Sequence, residues 1–161
     1  MLPELALILA PLASSAQKTN PCGLLDRATV VALLGSSSAG GIASGPEPDE
    51  DSGGTVSYCT FKGGTGAMVV SQVTFASPEA ARKAATKELV AGRMEGEGAK
   101  ISEEPGLGEK AWWTYTTEGA QFVVLKGAVV LGVAIGGGLP NPPVSYRSAL
   151  RAATASALLK L

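Results

Sequence analysis

Residues 122–135, FVVLKGAVVLGVAI, decide how the chain is read. The run is too long and too apolar for one exposed strand. Its single charge, Lys126, is followed by Gly127, a pair that suits a tight turn. The stretch is therefore predicted to form two strands, each buried on at least one face, joined at Lys126-Gly127.

Strands are predicted on either side of this hairpin's partners. Residues 55–62 (TVSYCTFK) alternate, with Val56, Tyr58, Thr60 and Lys62 on one face and Thr55, Ser57, Cys59 and Phe61 on the other. After the turn Gly63-Gly64-Thr65-Gly66, residues 67–75 (AMVVSQVTF) form the pairing strand. Residues 111–116 (AWWTYT) are a third segment of this kind, and residues 41–44 suit a short strand inside the loop-like stretch 36–54. The polar, turn-rich stretch 96–108 is read as loop.

Three helices complete the pattern. Asp26 caps the first, in which Ala28, Val31, Ala32 and Leu34 are apolar and Gly35 is the stop. Ser77-Pro78-Glu79 opens the second, expected to run to about Met94 with a thin stripe of Ala81, Ala85 and Leu89. The third, residues 144–159, lines up Tyr146, Leu150, Ala153, Ala157 and Leu161 as an apolar seam. Short turns between strands imply antiparallel pairing. The expected class is α+β, an antiparallel sheet of about five or six strands with three helices packed on it, as one domain over residues 17–161.

The N-terminus resembles an export signal. Residues 5–13 (LALILAPLA) form an apolar core, and Ser14-Ser15-Ala16 supplies small residues for cleavage after Ala16, so residues 1–16 are read as a signal peptide. Its n-region carries Glu4 and no Lys or Arg, which leaves a short buried helix as the alternative. Pro11 and the short apolar run argue against a membrane span there. Cys22 and Cys59 stand 37 positions apart, so they are not a CxxC pair. In an oxidising compartment they would pair; otherwise they are two buried thiols. Cys22 follows Thr19-Asn20-Pro21, which is not a lipid-anchor context.

The residue inventory excludes much chemistry. The 161 residues include no histidine, which removes Ser–His–Asp and Cys–His catalysis and the commonest metal ligand. Thirteen Lys and Arg against fourteen Asp and Glu leave a net charge of −1 without a basic run, so no nucleic-acid footprint is present. The serines at 36–38 suit a linker, and Glu103 and Glu104 are adjacent on an extended segment and point apart. Gly106-Leu107-Gly108 lacks the setting of a phosphate loop. Asp49, Asp51 and Gly54 fit positions 1, 3 and 6 of a calcium loop, but Gly53 and Thr60 stand where ligands are needed. No cofactor and no metal are expected.

Aromatic residues are the remaining candidates. Alternation puts Trp113 and Tyr115 on one face of their strand and Trp112 on the other. Core or sheet-cover packing is the weightier reading of these rings. With one face in the core, at least one tryptophan is expected near the surface, where Trp112, Trp113 and Tyr115 would contact a ligand or partner.

Residues 20–35 (NPCGLLDRATVVALLG), 105–113 (PGLGEKAWW) and Tyr58-Cys59-Thr60-Phe61 together resemble a domain of unknown function of bacterial, mainly actinobacterial, envelope lipoproteins. The resemblance spans roughly residues 20 to 161. It implies an α/β sandwich similar to the Mog1 and PsbP-like group, a disulfide between Cys22 and Cys59, and no established activity. Two positions depart from the pattern. The lipid-anchor cysteine is missing, and Thr29 stands where an acid would complete a capping box.

The expectation is an exported, non-catalytic envelope domain without a transmembrane helix. It would bind an envelope protein or a small apolar ligand in a pocket between sheet and helices lined by Trp or Tyr. An enzyme of unrecognised mechanism, with Glu109 and Lys110 as its least implausible pair, and a self-associating structural protein are the alternatives.

Overall fold

The computed structural model describes residues 20–64, 66–94 and 98–161. The signal segment read at 1–16 lies outside the described residues, as do Thr65 of the first hairpin turn and residues 95–97. Among the described residues the fold is α+β: one fully antiparallel sheet of seven strands and four α-helices. The expectation of five or six strands and three helices was therefore one or two strands and one helix short.

The strands are β1 (Ile42–Asp49), β2 (Gly54–Gly63), β3 (Gly66–Thr74), β4 (Lys100–Glu103), β5 (Lys110–Tyr115), β6 (Gly119–Lys126) and β7 (Val129–Gly136). Their spatial order is β1-β2-β3-β7-β6-β5-β4. Two meanders, β1 to β3 and β4 to β7, thus meet at the β3–β7 seam. The predicted turn at Lys126-Gly127 joins β6 to β7, with Gly127 at φ +57°, where a side chain would be strained.

The additional strand is β4, a four-residue edge element in the stretch read as loop. It is largely exposed on both faces, so no alternation marks it in the sequence. The other edge, β1, runs well beyond residues 41–44 for the same reason, and its Gly45-Pro46 bond is cis. Pro46 and Pro48 are tolerated there because an edge strand has backbone N–H groups with no partner to lose.

The additional helix comes from a break. α2 (Pro78–Ala84) is capped by Ser77, whose Oγ accepts from the Ala80 N–H at 3.1 Å. Ala85 then leaves the helical region, and Thr86 starts α3 (Lys87–Gly92) by accepting the Leu89 N–H at 3.2 Å. A threonine hydroxyl competes for backbone donors in this way and restarts the helix. α1 (Arg27–Leu34) is capped by Asp26, which accepts the Thr29 N–H at 2.7 Å. It buries Val30, Leu33 and Leu34, leaving the expected Ala28 and Ala32 exposed. α4 (Arg147–Leu158) buries Leu150, Ala153 and Ala157 of the expected seam, with Tyr146 and Leu161 packed beside them. Lys126 Nζ donates to the Leu158 carbonyl at 2.8 Å, a cation at the negative end of α4.

The sheet separates two cores. Face one carries Phe61, Met68, Val70, Trp113, Phe122 and Val133, covered by α1 and α4. Face two carries Val56, Val73, Trp112, Val123, Leu125 and Val130, covered by α2 and α3. Cys22, in the 3-10 turn Pro21–Gly23, is bonded to the fully buried Cys59 of β2. The bond ties the start of the described chain to face one.

Closing a loop of this length removes about 4 kcal/mol of unfolded-state entropy in the chain-entropy model. The Cys22→Ser/Cys59→Ala variant is therefore expected to lose about 3–4 kcal/mol in urea unfolding. A loss under about 1 kcal/mol would show that the crosslink does not constrain the unfolded chain.

Candidate functional site

Cover on face two is incomplete. α2 and α3 have seven and six residues and rise about 10 and 9 Å, whereas strands of eight or nine residues extend about 28 Å. The helices pack on the rows around Val73, Val130 and Leu125. Beyond them the sheet surface is open, and an open cleft of about 1000 Å3 lies there. That volume is at the upper end for small-molecule sites.

Small side chains make the floor. On β7, Ala134 and Gly136 line the cleft and Gly132 lies buried on the same sheet face, while the side chains of Leu131, Val133 and Ile135 belong to face one. On β3, Ala67, Val69 and Ser71 are the cleft-side residues, opposite Gly136, Ala134 and Gly132. The Ser71 hydroxyl lies over Gly132, where a Cβ would come within 2.5 Å of it. The cross-strand row of Val69 and Ala134 continues through Thr60 to Ile42, which is 66% exposed at the sheet edge. Gln121 closes the other end; it is buried and donates from Nε2 to the Val90 carbonyl at 3.2 Å.

The walls are polar on one side. Tyr58 of β2 stands at the upper wall with Asp49, Asp51 and Arg93. Arg93, just after α3, pairs with Asp49 at the end of β1, and the Ser52 hydroxyl donates to the same carboxylate oxygen. Burial pushes the Tyr58 phenol above its ordinary pKa; Arg93 opposes the rise, and Asp49, Glu47 and Asp51 add to it. The opposite wall is Thr117, Glu118 and the loop 137–143, with Leu139, Pro140 and Pro142.

The residues singled out in the sequence lie elsewhere. Trp112 and Trp113 are 1% and 2% exposed, one in each core, so the expected surface tryptophan is not found. Helices on both faces explain this, because alternation assigns a side chain to a face but does not say whether that face is covered. Trp113 stacks against Phe122, with centroids 4.9 Å apart, and lies 6.0 Å from the half-buried Tyr115. None of the three lines the cleft; Tyr58 is its aromatic. The strands did hold a signal for the cleft. Alternate positions in Gly132-Val133-Ala134-Ile135-Gly136 are small, then bulky.

Glu109 and Lys110 do not converge. Glu109 accepts from Arg82 Nε at 3.0 Å and from the Gly127 N–H at 2.9 Å. Lys110 reaches Glu103 at 3.5 Å and lies over the Trp112 ring. The first ties the segment before β5 to α2 and the β6–β7 turn, and the second lies across the β4–β5 edge pair. Among the described residues no group of three His, Cys, Asp or Glu side chains could hold a metal ion. Asp49 of the calcium-like loop is engaged by Arg93 and Ser52 instead. No protein-family model matches the chain, and no curated protein matches it significantly.

The hydrogen bonds from Arg82 and then Gly127 hold Glu109 below the ordinary glutamate range. A carboxyl depressed in the folded state adds stability above its unfolded pKa and loses it as pH falls through the folded pKa. Melting temperature is therefore expected to drop as acid passes below the ordinary carboxylate range. Glu109→Gln should flatten part of that decline while leaving the slope near pH 7 unchanged. An identical acid limb in the variant would contradict this role.

Proposed function

We propose that this protein is an exported, non-catalytic domain that binds a small, largely apolar ligand in the face-two cleft. The observation that carries the reading is the cleft floor. Rows of Gly, Ala, Val and Ser leave a recess of about 1000 Å3 beside a helical layer too short to fill it. A recess with an apolar floor, polar groups such as Tyr58, Ser71 and Gln121, and charged side chains confined to its walls suits a largely apolar molecule held in one orientation.

Export is supported by the Cys22–Cys59 disulfide, a bond that persists in oxidising compartments. No helix among the described residues is long and apolar enough to cross a membrane. The resemblance to envelope domains of the Mog1 and PsbP-like kind fits the same setting. The sheet edges support a role other than strand-to-strand self-association. β1 carries Pro46, Pro48 and a register shift between Ser44 and Glu47, and β4 is short and flanked by Lys100 and Glu103. Features of these kinds blunt an edge against pairing.

The test uses N-phenylnaphthylamine, a neutral probe that fluoresces in apolar sites. Wild-type protein is expected to bind it saturably. Ala134→Phe, which places a ring in the recess, should weaken binding about tenfold or more while keeping the circular dichroism spectrum. Ala28→Phe, on exposed α1, should bind as wild type does. Equal binding by all three would exclude the cleft as the site.

A further inference from the structure

Resting on that reading, we infer that the cleft selects by charge: it takes amphiphiles with a cationic head group, seated at the Tyr58–Asp51 wall with the tail over Val69 and Ala134. Among the described residues four formally charged side chains line the cleft: Asp49, Asp51, Glu118 and Arg93. Asp49 and Arg93 neutralise one another. Asp51 and Glu118 have no ion pair among the described residues, and no lysine is on the lining. The unspent charge of the cleft is therefore negative on both walls.

An anionic head group would face these two carboxylates with no free cation among the described lining residues to meet it. Arg93 is already held by Asp49, and releasing it would strand a carboxylate that is only 11% exposed. A cationic head meets the opposite situation. Tyr58 lies on the lining beside the acids, and an aromatic ring next to carboxylates is a setting that favours ammonium groups. From Tyr58 on β2 the floor runs diagonally through Ser71 and Val69 on β3 to Ala134 on β7, and there it is uncharged. A head at the wall thus leaves its tail on apolar surface.

The experiment is displacement of N-phenylnaphthylamine from the full-length protein at pH 7 and low salt. Decyltrimethylammonium is compared with decanesulfonate, both below micelle formation. The cation is expected to displace the probe at about fivefold lower concentration, and this preference should shrink as salt screens the exposed carboxylates. Asp51→Asn/Glu118→Gln should bring the two detergents to within about twofold of each other. Equal displacement from wild type, or a preference that survives in the variant, overturns the cationic assignment and leaves the apolar cleft standing. Wild-type protein that takes up no probe overturns both.

Discussion

An antiparallel sheet buried on both faces needs two apolar covers, and this chain supplies unequal ones. Face one receives α1, the twelve-residue α4 and the disulfide-tethered turn at Cys22. Face two receives two short helices broken at Ala85 and Thr86. Where those helices reach, the sheet presents Val73, Trp112, Val123 and Val130, each adding on the order of 1.5–3 kcal/mol by burial. Where they do not, large apolar side chains would sit in water. Around the β3–β7 seam the strands carry Gly, Ala and Ser beside the single Val69, which keeps exposed apolar area low and leaves a recess. Cleft and core thus arise from the same shortfall.

The disulfide acts on the other side of the sheet. Cys59 is fully buried between Val70 of β3 and Ala43 of β1 in the ladder, so the bond holds the 3-10 turn against the strands nearest the β1 edge. β1 is an otherwise exposed strand that depends on such neighbours. Its far end is fixed by Asp49 through Arg93, across face two. The same strand is therefore anchored once through each face, and its second anchor forms a wall of the cleft.

Much of this architecture was legible locally. The β6–β7 hairpin follows from an apolar run punctuated by Lys126-Gly127. The caps Asp26 and Ser77 and the Leu150–Ala153–Ala157 seam are visible because each depends on neighbours a turn away. What the sequence hid was non-local or solvent-exposed. β4 and the far half of β1 are edges wetted on both sides, so nothing in them alternates. Trp112 is buried because α2 and α3 cover its face, which its own strand cannot reveal. The cleft arises when Ala67 and Val69 come to lie beside Gly136 and Ala134, a pairing across the β3–β7 seam between segments far apart in the chain. The alternation of small and bulky residues on β7 was readable, but only the topology shows which face the small ones open.

The functional reading rests on that recess being an apolar site in solution. It is tested most directly by amide chemical-shift mapping of the isotopically labelled protein titrated with octanol, a neutral amphiphile. Saturable shifts are expected at Val69, Ser71, Ala134 and Gly136, with the α1 and α4 amides unmoved. Shifts confined to the face-one helices, or none up to the solubility of octanol, would contradict the account.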